Sequence, residues 1–240
     1  MTKSGEVAGV HSVGSKGGAD EYYNYARPEI TKHVSPQAKF VLDVGCGSGA
    51  VGRCIKSKNA ATSVDGIEYF GQAAKIAKKY LDNVFEIDLN HLDPGFSRTM
   101  YDAIICGDVL EHLLSPQNTL QALRRKIKKN GTLICSIPNT GHWSLVFPLI
   151  LDDRFTYRDE GLLDRTHVHL FTLREVLILL QECGWSPKII ECKMIPLNGP
   201  AKKFSEEYID LICKTNTTLP RNEALQRLES FQYIIVSEPV

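Results

Sequence analysis

Four carboxylates stand at similar intervals in the first half of the chain, each at the end of an apolar run: Asp43, Glu68, Asp88 and Asp108. Glycines at 45, 47 and 49 follow the first of them directly. Glycine lets a ligand lie against the main chain, because no Cβ holds it off. A carboxylate beside such a turn repels a pyrophosphate and favours a ligand that carries positive charge. A second carboxylate can accept from two neighbouring hydroxyls at once, as a ribose requires. Downstream lie His112, His142, His167 and His169, whose side-chain type titrates near neutrality and can take the proton of a hydroxyl.

The elements that must position these groups follow from the pattern. Phe40–Val44 is short, apolar and rich in β-branched residues, as a buried parallel strand is. A helix over 50–56 follows the glycines and points its free N–H groups at whatever sits on the turn. Strands are expected at 61–68 and 84–88, with a helix over 71–80 between them, and a fourth strand starts at Tyr101. Ser115 and Pro116 open a helix that the pattern carries to about Lys129. A fifth strand at 132–137 leads into about thirty irregular residues, a length that usually carries function. Thr172-x-x-Glu175 is a capping box for a helix that stops at Gly184. A strand over 187–195, polar helical sequence over 200–228 and a strand at 231–236 complete the chain. This alternation predicts a doubly wound α/β sheet whose strand C-termini line a ligand crevice.

Gly47-x-Gly49-x-x-Gly52, with Glu68 at the right distance, satisfies the dinucleotide fingerprint. Asp43 argues against that ligand. The stretch Asp43-x-Gly45-x-Gly47-x-Gly49 instead resembles the first motif of the class I S-adenosylmethionine (SAM) methyltransferases. The resemblance implies a Rossmann-like, seven-stranded, mostly parallel sheet whose last strand runs antiparallel, with an insertion after the fifth strand. It implies cofactor contacts from Asp43, Gly45, Gly47, Glu68, Asp88, Leu89 and Asp108. In that family the first acid serves the amino-acid end of the cofactor, the second the ribose and the third the adenine amino group. Asp108-x-x-Glu111-His112 is similar to the matching segment of the ubiquinone-biosynthesis O-methyltransferases. The segment Asp164-Arg165-Thr166-His167-x-His169-x-Phe171-Thr172 is similar to one in a bacterial branch that modifies sugars, lipids and natural products.

The expectation is therefore SAM-dependent methylation of a hydroxyl on a small-molecule, sugar or lipid-precursor acceptor. His169 and His112 rank first as the base, then His167; a purely structural role for the loop histidines is the alternative. Asp108, Glu111, His112 and His169 also resemble the two acids and two histidines that hold a divalent ion in small-RNA 2′-O-methyltransferases. Trp143, Phe155 and Tyr157 either shape an acceptor pocket or pack in the core. Residues 1–19 read as a flexible tail, 20–240 as the methyltransferase domain and 138–171 as a substrate-capping insertion. Tyr22, Tyr25 and Arg27 form either a lid over the cofactor or part of a helix on the sheet edge.

With 28 basic and 28 acidic residues the net charge is zero, which weighs against a nucleic-acid partner. Arg124–Lys129 reads as the solvated end of a helix, with a phosphate-binding patch as the alternative. Seven cysteines without a C-x-x-C pair favour a reducing cytoplasm over a zinc or disulfide framework. Neither a signal peptide nor a membrane span is expected. A silent SAM-binding protein and an RNA methyltransferase stand as rival functions. The acceptor and the oligomeric state are not legible.

Overall fold

A computed structural model describes residues 26–97, 99–197, 199–215 and 219–240. The stretch read as a tail, 1–19, and Tyr22 and Tyr25 lie outside these residues. Among the described residues the strands are β1 (Phe40–Val44), β2 (Ser63–Ile67), β3 (Asn83–Phe85), β4 (Tyr101–Gly107), β5 (Ile127–Pro138), β6 (Trp185–Met194) and β7 (Ser230–Pro239). The helices are α1 (Pro28–Thr31), α2 (Ala50–Lys58), α3 (Gly71–Ala77), α4 (Pro116–Arg124), α5 (Trp143–Asp152), α6 (Leu173–Glu182), α7 (Gly199–Thr215) and α8 (Arg221–Glu229).

The strands form one sheet in the order β3-β2-β1-β4-β5-β7-β6. The first five pair in parallel, and β7 runs antiparallel to both β5 and β6. From β1 the chain winds outward through β2 and β3, then returns to the other side of β1 with β4. That reversal opens a crevice at the C-terminal ends of β1 and β4, where ligands of open α/β sheets bind. The doubly wound seven-stranded architecture expected from the sequence is the one observed.

Both faces of the sheet are covered, which is why its inner strands read as unbroken apolar runs. Along β4, Ala103 and Ile105 enter one cluster, with Ile55, Ala77 and Leu81. Ile104 and Cys106 enter the other, with Leu120, Leu123, Val176 and Leu180. A third cluster lies apart, where Trp143 and Phe147 of α5 meet Leu197, Phe204 and Leu225. Gly52 reflects packing rather than ligand binding: a Cβ there would stand 2.3 Å from Leu81 Cδ2 and 2.9 Å from Val64. The third glycine of the apparent dinucleotide fingerprint is thus explained by the contact of α2 with its neighbours.

Several boundaries differ from the sequence reading. Helix α4 ends at Arg124 with Arg125 as its C-cap, and β5 begins at Ile127, so that Lys128 and Lys129 lie in the strand. Ile127 is buried there, and Lys128 reaches back to Asp102 at 2.7 Å and across the ring of Phe40. Ser115 occupies the N-cap of α4, but its side chain makes no capping bond. β3 stops at Phe85, short of the expected Asp88. The stretch read as irregular contains α5, capped by His142, whose side chain accepts from the Ser144 N–H. Among the described residues no helix is long and apolar enough to cross a membrane.

Candidate active site

The glycine turn is built as a concave shelf of backbone. Gly45, Gly47 and Gly49 take φ of +68°, +52° and +83°, a region that L side chains rarely enter. At Gly45 a Cβ would also meet Val109 Cγ2 at 2.7 Å, so the turn and the loop after β4 touch directly. The N–H groups of Gly45 and Cys46 donate to the Ile67 carbonyl at 2.9 and 3.0 Å, which ties the shelf to the end of β2.

Two buried carboxylates stand beside it. Glu68 is 7% exposed; its Oε2 accepts from the Gly47 N–H and its Oε1 from the Phe70 N–H, both at 2.8 Å. Asp43 is 3% exposed, and its Oδ2 has no hydrogen-bond partner among the described residues. Burial pushes its pKa up to about 7; Arg27 opposes this and Glu68 adds to it. A buried acid without a partner is costly unless it is neutralised or meets a cation. Tyr69 and Phe70, next along the chain, are 66% and 65% exposed and meet edge to face. Two aromatics directly behind a strand-end acid are a signal that the sequence itself carries.

Asp88 caps a 3₁₀ turn over Leu89–His91, its Oδ1 accepting from the Asn90 N–H at 2.9 Å. That bond chiefly holds its pKa below the usual carboxylate range. Leu89 is joined to α4 through its carbonyl, which accepts from Thr119 Oγ1. Asp108 has a left-handed backbone, φ +55°, and its carboxylate is held by the protein itself. Arg27 Nη1 donates to it at 2.8 Å, Ser136 Oγ at 2.6 Å and Gln232 Nε2 at 2.6 Å. Arg27 Nη2 also donates to Ser136 Oγ. The segment ahead of β1 is thereby fastened to β5, β7 and the loop after β4 at one point.

The loop after β4 turns into a short 3₁₀ segment, Leu110–His112. The chain beyond α5 returns against it: the N–H groups of Val168 and His169 both donate to the Glu111 carbonyl, at 2.9 and 3.0 Å. This return brings Glu111, His112 and His167 together, with one ligand atom of each within 4.8 Å of the others. The rings of His112 and His167 meet edge to face at 4.7 Å. Glu111 is 1% exposed, and neither carboxylate oxygen has a partner among the described residues. Burial, reinforced by Asp108, raises its pKa well above the usual carboxylate value. Burial and the neighbouring His167 lower that of His112.

The set gathered here differs from the sequence-derived set of Asp108, Glu111, His112 and His169. Both oxygens of Asp108 are engaged by Arg27, Ser136 and Gln232. His169 stacks on Phe171 and directs Nε2 to the Leu114 carbonyl, lining a pocket of about 150 Å³ with Pro116 and Ile178. His142 does not face the crevice loops as expected: it is buried as the cap of α5, and burial pushes its pKa down to about 4. Trp143 is a core residue, its Nε1 donating to the Ile195 carbonyl at 3.0 Å. Phe155 and Tyr157 pair edge to face on the surface.

Comparison with known proteins agrees with this geometry. Residues 20–187 match the family profile described as a methyltransferase domain. The chain is 30% identical over 117 residues to the ubiquinone biosynthesis O-methyltransferase of Nitrosomonas europaea, a match covering 47% of this chain and 49% of that protein. It is 27% identical over 187 residues to the protein of the same name from Burkholderia pseudomallei, covering 73% and 76%. The chain thus spans about half the length of the first of these relatives. Among solved structures, the plantazolicin methyltransferase BpumL in complex with SAH aligns at TM-score 0.58 and 19% identity, over 92% of this chain and 84% of that one. A SAM-dependent methyltransferase from Archaeoglobus fulgidus aligns at TM-score 0.56 and 18% identity, over 85% and 87%.

Proposed function

The chain belongs to the methyltransferase-domain family, of the class I SAM-dependent kind, and from that premise we propose that it methylates a hydroxyl on a small-molecule, sugar or lipid-precursor acceptor. The observation that carries the proposal is the pair of buried carboxylates, Asp43 and Glu68, on the two sides of the glycine shelf. The cofactor supplies the methyl group on a sulfonium sulfur, so the electrophile arrives ready made. The protein's work is then to hold cofactor and acceptor in line and to remove the acceptor's proton.

In this reading the Asp43 carboxylate, whose Oδ2 has no partner among the described residues, meets the positive amino-acid end of the cofactor. Glu68 turns from the Gly47 N–H to the ribose hydroxyls, and the shelf at Gly45 and Gly47 supports the ligand's body. Asp88 and Leu89 serve the adenine end. Asp108, already engaged by Arg27, shapes the floor under the reacting atoms. His112 is the base, with His167 beside it; burial and His167 lower its pKa and so favour the neutral ring, which supports that role. His169, ranked first with His112 on sequence, stands next to Leu114, which supports a part in shaping the acceptor pocket instead. The capping role of 138–171 rests on the return of Val168 and His169 onto Glu111. The names of the relatives support a hydroxyl acceptor over an amine.

A second reading adds a divalent ion at Glu111, His112 and His167. Its support is the pair of buried Glu111 oxygens without partners among the described residues, one ligand atom of Glu111 lying within 4.8 Å of one from each of the two imidazoles. Those donor types suit a transition-metal ion or zinc, which would acidify a bound acceptor hydroxyl. Loss of turnover in chelator, restored by metal, is expected under this reading; full turnover in metal-free protein removes it.

Calorimetric titration with SAM, S-adenosylhomocysteine and NAD tests the main proposal. Binding of the two sulfur ligands but not NAD, weakened at least about tenfold in Glu68→Ala, is expected. Binding of NAD alone overturns it. Turnover with a screened acceptor separates an enzyme from a silent SAM-binding protein.

A further inference from the structure

The segment Asp164-Arg165-Thr166-His167 was singled out by sequence, yet the chemistry above uses only its histidine. The hydrogen bonds around His112 show what the other residues do. The Thr166 hydroxyl has a single proton, and it donates that proton to Asp164 Oδ1 at 2.6 Å. The Thr166 backbone N–H donates to the same oxygen at 2.8 Å. Toward His112 Nδ1, 3.0 Å away, the hydroxyl therefore presents a lone pair. The Thr166 carbonyl oxygen, 3.2 Å from the same nitrogen, can also only accept.

Two acceptors facing one ring nitrogen require that nitrogen to carry the hydrogen. The opposite tautomer would set the Nδ1 lone pair against two oxygen lone pairs. We infer that Asp164 and Thr166 are positioning residues that lock the His112 imidazole with its proton on Nδ1 and its Nε2 lone pair available. The inference rests on the reading of His112 as the reacting imidazole. It holds equally whether Nε2 takes a proton or binds an ion, since both need the free lone pair. His167 is fixed by the same turn: its Nδ1 lies 3.1 Å from the Leu162 carbonyl, which can only accept. A single loop thus presents two imidazoles in one tautomer, Asp164 setting the first through Thr166 and the backbone setting the second.

Nuclear magnetic resonance of protein labelled with ¹⁵N-histidine reads the tautomer directly, near pH 8 where the ring is neutral. The His112 signals are identified by their absence in His112→Gln. Wild-type His112 is expected in the Nδ1–H form. Asp164→Ala, which leaves the Thr166 hydroxyl proton without its acceptor, should give a mixture of both tautomers. Thr166→Ser, which keeps the hydroxyl, should match wild type. Turnover in Asp164→Ala is expected to fall roughly 10–100-fold with SAM affinity unchanged, and turnover in Thr166→Ser to stay at the wild-type level. An Nε2–H ring in the wild type, or an unchanged Nδ1–H ring in Asp164→Ala, overturns the lock. A shifted tautomer with unaltered turnover upholds the lock and removes His112 from the chemistry, so the two ideas fail separately.

Discussion

The two halves of the crevice are built in different ways. In the glycine-turn half Asp43, Glu68 and Asp108 stand at or next to a strand end and Asp88 three residues past β3, and β1 pairs with β2 over five residues, from Phe40 with Ser63 to Val44 with Ile67. In the histidine half the groups come from two loops whose meeting residues, His112 and Thr166, lie 54 positions apart. The first half is fixed by sheet register and the second by a handful of loop hydrogen bonds. Hence damage to the first should appear as lost affinity for the cofactor, and damage to the second as lost turnover at unchanged affinity.

The largest effect should come from His112→Gln. Loss of a positioned base typically costs 10²–10⁴-fold, so turnover is expected to drop by about that factor. SAM affinity should stay within about twofold; a parallel loss of affinity would erase the division between the halves. Asp43→Asn should do the reverse, weakening SAM binding by about 100-fold, near 3 kcal/mol, as removal of a buried counter-charge does.

The same variant should stabilise the ligand-free protein. Asp43 has a folded pKa of about 7, above its unfolded value, so the folded state keeps a proton that the unfolded chain has released. Stability therefore falls as pH rises from about 4 to about 7, and the cost is complete above that. Asparagine carries no such cost. Its Tm should exceed that of wild type at pH 7.5 and match it near pH 4, by calorimetry.

A smaller effect sharpens the same point. Only the ionised Asp43 attracts a cation, so SAM affinity should rise by about eightfold between pH 6 and pH 7.5, following the ionised fraction of a group at about 7. In Asp43→Asn the titration should be flat. Smallest of all is Ser136→Ala, which removes a buried hydroxyl bonded to both Arg27 and Asp108. A cost of about 1–2 kcal/mol and a Tm lower by roughly 2–6 °C are expected. Affinity and turnover should both shift slightly, because this junction serves both halves.

What the sequence disclosed follows the same division. A short unbroken apolar run that ends in an acid is a local pattern, so β1, β2 and β4 and their acids could be read from it directly. The basic stretch 124–129 looks like one solvated helix end, yet only Arg124 lies in α4, and Lys128 and Lys129 belong to β5 through contacts that only the fold supplies, Lys128 with Asp102 and Phe40. Helix α5 was hidden for two reasons. Its cap is a histidine, outside the usual capping set, and Pro148 sits inside it. The exchange of His169 for His167 beside Glu111 could not be read at all. His167, Val168 and His169 are consecutive, and which ring turns inward depends on how the return strand bonds the Glu111 carbonyl.

The position of β7 has a consequence for how the molecule is made. Among the described residues β6 pairs with no strand but β7, and β7 follows it in sequence while lying between it and β5. Gln232, one of the donors to Asp108, lies on that late strand. Translation at about 5–20 residues per second needs several seconds to run from Met194 to the start of β7. For that interval the nascent chain carries a β6 edge open to other chains, and an Asp108 lacking one of its donors. A pause or a holding chaperone acting in those seconds would decide between a finished sheet and an aggregated one.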